Sequence, residues 1–281
     1  MFLRPYSPHE LKFAYCYRVY VRFRTYKCRP YRELALLQRA TLDSLLKPYG
    51  LRVLKLATDS TDVLSILSLQ PTETVSSAAD KLKGRVSKWL REQLGLSQPE
   101  NLVSKGYFAI TIGKSRSEAV EKYLSSQSEH HGYDKRPLPP VFLQSYDLTT
   151  VGLSRLTPAH AVVVAQFHCV LATAKRRGVL GSAEGKKVAT EWKRVEVAAR
   201  FAIVKVSFVP DHVHLALRAH PAVSPAAIVV GLMNSAQEVL SNELTGAGLE
   251  RLWQTTVYVG SFGSLASAQV RKYIENWEKE E

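Results

Sequence analysis

FAIVKVSFVPDHVHLALRA, residues 201–219, holds two alternating apolar runs on either side of Pro210 and Asp211. Val, Ile, Phe and Leu at every second position suit strands with one buried face, and the Pro-Asp pair suits the turn that joins them. The stretch therefore reads as a strand pair, FAIVKVSFV followed by HVHLALRA. Upstream, VVVAQFHCVLAT (162–173) alternates as a strand and KKVATEWKRVEVAARF (186–201) has helical spacing. Downstream come a helix, SPAAIVVGLMNSAQEVLSNEL (224–244), a strand near TTVYVGSF (255–262) and a final helix, LASAQVRKYIENWEKE (265–280). The order βαββαβα predicts an α+β fold: a ferredoxin-like antiparallel sheet with helices on one face and an added C-terminal helix.

The same plan occurs twice. Residues 101–127 lie on 251–277 without a gap, with Leu102, Gly113, Ser117, Val120, Lys122 and Tyr123 on Leu252, Gly263, Ser267, Val270, Lys272 and Tyr273. The first copy begins with the alternating strand YCYRVYVRFRTY (15–26). Two long copies indicate duplicated domains rather than a solenoid of many short units. The expected organisation is a first copy over residues 1–130, a proline-bearing linker over 131–158 and a second copy over 159–281. The two fused ferredoxin-like domains are expected to pack as a pseudo-dimer.

An apolar content of 46% against 22% charged fits a chain with a real core, and a net charge of +13 favours a polyanionic partner. Cys16, Cys28 and Cys169 show neither a disulfide framework nor zinc spacing. No stretch is apolar and long enough to span a bilayer, and no signal core opens the chain, so a cytoplasmic protein with no membrane partner is expected.

His212 and His214 sit at strand spacing, so both imidazoles reach one side of the sheet and can grip one divalent ion. Two strand histidines that merely face solvent or hydrogen-bond are the plain alternative. Gln127 follows Tyr123 by four residues and shares its helix face, where a phenol could attack a phosphodiester while the amide oxygen helps to hold a metal. Packing of Tyr123 against the sheet is the other reading.

PDHVHL, the helix KLKGRVSKWL (81–90), then KGYFAITIG (105–113) and VEKYLSSQ (120–127) together resemble the HUH single-tyrosine transposases of insertion sequences and their REP-associated relatives. The resemblance covers most of both halves. It implies binding of DNA hairpins and cutting of single-stranded DNA by the tyrosine, with a 5′-phosphotyrosine link and a free 3′-hydroxyl. It further implies Mg2+ or Mn2+ held by the two histidines and the glutamine, and active sites whose histidines and tyrosine helix come from different subunits.

Each copy departs from that pattern at a different place. At the histidine positions the first copy has Asp62 and Leu64; at the glutamine position the second has Trp277. Packed in trans, His212 and His214 would meet Tyr123 and Gln127 in one complete site, in a chain that works as a monomer. Two other arrangements stay open: Tyr273 acting beside the histidines of its own copy, and both tyrosines visiting one metal in turn. A domesticated hairpin-binding protein without catalysis is the reading from another functional class.

For the DNA itself, Arg18, Tyr20, Arg22, Arg24 and Tyr26 share one face of the first strand and could take phosphates and stacked bases. The same face could instead be solvated or buried between the halves. Lys81, Lys83, Arg85 and Lys88 form a second basic set and Lys175, Arg176 and Arg177 a third, both read as hairpin contacts through the resemblance. His130 and His131 read as solvated linker residues, and His168 as a satisfied core histidine.

Overall fold

The computed structural model describes residues 4–97, 100–113, 119, 120, 122, 124, 142–246 and 248–263. The first alternating run is broken at Tyr17 into β1 (Lys12–Cys16) and β2 (Arg18–Arg24). Then come α1 (Arg39–Leu46), β3 (Arg52–Thr58), β4 (Asp62–Ser68), α2 (Val75–Gln93) and β5 (Tyr107–Ile112). Within the stretch read as a linker, β6 (Phe142–Ser145) pairs with an outer strand and α3 (Thr150–Ser154) follows. The second half runs β7 (Ala161–Thr173), α4 (Ser182–Val195), β8 (Phe201–Val209), β9 (His212–Ala219), α5 (Pro225–Val239), α6 (Ser241–Gly246) and β10 (Trp253–Phe262).

Both halves place their strands in the same spatial order, β3-β4-β2-β5 and β8-β9-β7-β10, with antiparallel neighbours throughout. That is the ferredoxin-like arrangement expected from the element order, made twice. Two helices differ from expectation. The helix expected over 186–201 runs instead from Ser182 to Val195, because the backbone reverses at Arg200 (φ 57°) so that Phe201 can pair with Ala219. The helix expected over 224–244 is split at Leu240, which leaves the helical region.

Alternation divides the sheet into two faces. Val19, Val21 and Phe23 of the first half and Val213, Leu215 and Leu217 of the second point to one side, where one buried core spans both halves. The helices cover it with residues three and four apart: Val75, Ala78, Ala79, Leu82, Val86 and Leu90 from α2, and Val229, Leu232, Met233 and Ala236 from α5. Thr74 caps α2 by accepting from the Ser77 N–H at 3.1 Å, and Ser224 caps α5 by accepting from Ala227 at 3.2 Å.

The halves join by reciprocal contacts. β5 pairs parallel with β7, Tyr107 beside Ala161, and β1 pairs parallel with β10, Phe13 beside Val257. Two orphan helix-end donors also cross, Ser76 N–H to the Pro221 carbonyl and Ala226 N–H to the Pro71 carbonyl, both at 2.9 Å. At the centre, the Thr111 hydroxyl accepts from Gln166 N–H at 2.8 Å and donates to the Phe262 carbonyl at 2.7 Å. Ser261 repeats this from the other side, accepting from Arg18 N–H at 2.8 Å and donating to the Ile112 carbonyl at 2.7 Å. Next to them, a Cβ on Gly113 would lie 2.1 Å from the Ser261 carbonyl oxygen, and one on Gly263 would lie 2.1 Å from that of Thr111.

Gly113→Ala and Gly263→Ala are each expected to destabilise the protein by about 1–3 kcal/mol or more, because backbone rather than a pliable side chain blocks the new methyl. Gly84→Ala, on an exposed turn of α2 with nothing within 4 Å, should instead raise stability by roughly 0.5–1 kcal/mol. Thermal unfolding of the three variants checks the contrast, and equal effects would remove the special status of the seam.

Candidate active site

The second sheet face carries the histidines. His212 and His214 lie two residues apart on β9, both buried, with ring centroids 4.9 Å apart. Their setting starts from the turn before β9. Thr173, at the end of β7, holds the Asp211 carbonyl through its N–H at 2.9 Å and its hydroxyl at 3.0 Å. The fixed Asp211 carboxylate then takes a 2.6 Å hydrogen bond with His212 Nδ1 and a 2.9 Å ion pair with Arg176 Nε. His214 Nδ1 meets His168 Nε2 at 3.1 Å, and the two rings stack with centroids 5.3 Å apart. Burial pushes the His168 pKa down to about 4, so at neutral pH this ring is an uncharged imidazole able to accept from the His214 Nδ1–H.

With Nδ1 of both rings engaged, Nε2 is the nitrogen of each that could ligate a metal, as in histidines held from behind by a second hydrogen-bonding group. The two rings thus fit a divalent ion. Among the described residues no three or more His, Cys, Asp and Glu are arranged to hold one metal ion together.

One segment of the first half reaches this face. Ala119, Val120, Lys122 and Leu124 are helical, and Val120 and Leu124, one turn apart, form a buried cluster with Ala216 and Phe262, with Val204 against it. Ala216 is the next residue after His214 on the same side of β9. Tyr123, Gln127, Tyr273, Trp277, His130 and His131 lie outside the described residues.

The matching region of the first half has other chemistry. Asp62 is buried and paired with Arg22 Nη2 at 2.8 Å and Arg24 Nε at 3.3 Å, and Leu64 joins Tyr20, Ile66, Ile110 and Ile112 in an apolar cluster. Burial alone would raise the Asp62 pKa, but hydrogen bonds from Arg22 and Thr61 outweigh it and hold the group below the usual carboxylate value.

The expected DNA-binding residues are dispersed. Arg22 and Arg24 share the single carboxylate of Asp62, and Tyr20 is buried, whereas Tyr26 is exposed under the Lys27 ammonium; Arg18 touches the seam through its backbone. Lys81 pairs with Glu73, Lys88 with Glu92, and Arg85 lies over Tyr49. Lys83 is buried and donates to the Lys105 carbonyl, with its pKa lowered by burial. All four sit on α2, which covers the face opposite the histidines. Lys175, Arg176 and Arg177, by contrast, are exposed at the end of β7 beside Asp211. Sequence reasoning missed Asp211 and Arg176 as supports of His212 and set His168 in the core; the available signal was that His168 and His214 fall on neighbouring strands.

The family model for IS200-like transposases matches the chain twice, over residues 22–127 and 161–277. The chain belongs to that family. Its two matches correspond to the two ferredoxin-like halves, and family membership makes it a transposase-type protein with DNA as partner. A crystal structure of a candidate transposase from Deinococcus radiodurans is similar at 23% identity, covering 43% of this chain and 95% of that one, with a TM-score of 0.35. No curated protein compared with the chain matches it. Among the described residues no helix is long and apolar enough to cross a membrane.

Asp62→Asn should lower the melting temperature at pH 7, since it leaves Arg22 and Arg24 without their anion, a loss of about 1–3 kcal/mol. A carboxylate whose folded pKa is depressed stabilises fully above its unfolded value near 3.9 and ceases to do so as the pH falls through the folded one. The gap between variant and wild type should therefore close in melts below about pH 4, and a constant gap would contradict the pairing.

Proposed function

We propose that the chain is a metal-dependent transposase that cuts and rejoins single-stranded DNA at one composite site. The first half supplies Tyr123 and Gln127, and the second supplies His212 and His214. The observation that carries the reading is the packing of Val120 and Leu124 on Ala216, which brings the chain on either side of Tyr123 to the strand of the histidines. Leu64 and the Asp62 ion cluster leave the first half without imidazoles to offer.

Tyr123 loses its phenolic proton and its oxygen attacks phosphorus; the bond to the 3′-oxygen breaks, and that oxygen takes up a proton to leave as a hydroxyl. The 5′-phosphotyrosine keeps the phosphodiester energy, so a DNA 3′-hydroxyl can reverse the step and join ends. Mg2+ or Mn2+, held by His212, His214 and Gln127, would polarise the phosphate and offset the charge that develops on it. Asp211 fixes the tautomer and direction of His212, and Arg176 holds the Asp211 carboxylate in place. Lys175 and Arg177, exposed beside this turn, would meet phosphates, and hairpin ends of single-stranded DNA are the substrate class. Because each half completes the other's sheet, the chain works as a monomer.

The test is cleavage of labelled single-stranded DNA carrying the hairpin ends that flank the gene, with manganese present. Wild type should form a covalent protein–DNA adduct and Tyr123→Phe none, while Tyr273→Phe keeps it. Loss of the adduct in Tyr273→Phe alone would overturn the composite site, and binding without any cutting would overturn catalysis. Asp211→Asn should weaken Mn2+ binding by roughly 10–100-fold in a titration followed by electron spin resonance, with little change in melting temperature.

A further inference from the structure

A cavity of about 400 Å³ opens beside the histidines, where β1 of the first half meets β10 of the second. That is within the range of roughly 300–1,000 Å³ found for small-ligand sites. Its lining on the histidine face includes Ala14, Cys16, Gly260, Tyr258 and His168, with Val120 of the first half at its edge. Tyr258 packs edge-on to His168 with ring centroids 5.8 Å apart, and His168 stacks on His214, so a single ring separates the cavity from a histidine of the site.

The two halves differ here in a way their symmetry does not require. The positions matched to His168, Gly260 and Phe262 are Tyr20, Ile110 and Ile112, and these close into a buried cluster with Val164, the counterpart of Cys16, packed against it. Where one half has Ile110 and Val164, the other has Gly260 and Cys16. Gly260 has a further effect: a Cβ there would lie 2.6 Å from the Tyr258 hydroxyl oxygen, so glycine is what lets the phenol ring lie across the strand as a wall of the cavity. The ring remains 39% exposed.

The geometry points to this cavity as the binding site of one unstacked nucleobase of the single-stranded substrate, stacked on Tyr258 next to the phosphate that is cut. Small residues make the room, Tyr258 supplies an aromatic face, and its hydroxyl and the Cys16 thiol supply polar edges. Stacking on one exposed aromatic ring contributes roughly 1–3 kcal/mol per base and tolerates sequence, which suits placing a nucleotide more than reading it. The inference rests on the transposase reading and adds where the strand beside the cut is held.

The test uses the full chain and the flanking hairpin oligonucleotide with 2-aminopurine placed in turn at each unpaired position. One position near the cut should be strongly quenched on binding to wild type. Tyr258→Leu should lose that quenching while overall binding falls by roughly tenfold. Cys16→Val with Gly260→Ile, which installs the residues of the other half, should lose it too, and Phe108→Leu, the matched change in the first half, should leave it intact. Quenching that survives Tyr258→Leu, or no quenched position on an oligonucleotide that binds, would overturn the inference. An oligonucleotide that does not bind wild type would sink the transposase reading, and the pocket assignment with it.

Discussion

Everything in this molecule depends on two backbones passing within contact distance at its centre. Thr111 and Ser261 each use one hydroxyl both to accept from the opposite half and to donate to it, and Gly113 and Gly263 leave no Cβ in the way. A buried hydroxyl that is satisfied in both roles is firmly fixed, since any shift leaves a polar group without its partner. The crossing therefore sets the angle and register between the halves. From it follow the parallel pairings of β1 with β10 and of β5 with β7. After Gly113 the chain lands on the second half's sheet, as Val120 and Leu124 record.

The sheet keeps its two tasks on separate faces. The helices bury one face in a single core, and the other, with smaller buried clusters of its own, holds imidazoles, a carboxylate and a cavity. The first half shows what that face becomes without the chemistry. Its two histidine positions carry a carboxylate neutralised by two guanidiniums and a leucine sunk among aliphatics, both ordinary ways to cover a surface. One backbone plan thus holds a cluster of imidazoles in one half and an ion cluster with aliphatic filler in the other.

Much of the fold was legible because period and repeat are written in consecutive residues. β8 and β9 occur where the alternation around Pro210 and Asp211 put them, and the duplication at one offset foretold two similar sheets. The break of the first strand at Tyr17 was not legible, since it arises only because Cys16 pairs with Gly260 on the far half. Nor was β6, whose four residues are too few to show a period and gain their conformation from β8. Within the site, the histidine pair was visible as a motif of two residues. The supports were not: Asp211 is distinguished by the reach of Arg176, and His168 by the register of β7 against β9, both products of tertiary structure. The partners of the basic helix were hidden for a related reason, because formal charge does not say that Lys81 has Glu73 beside it or that Lys83 is buried.

The segment ahead of β1 gives the chain a temporal order. Tyr6 shares its hydroxyl with both the N–H and the carbonyl of Trp253, and its backbone is clasped by Asn234, across separations of 228 to 247 residues. On the ribosome, β1 and its leading residues emerge long before β10 exists to receive them. The nascent first half therefore waits with an unpaired strand and an apolar stretch facing solvent, the kind of surface that chaperones recognise. Folding of the second half is what gives β1 and Tyr6 their partners.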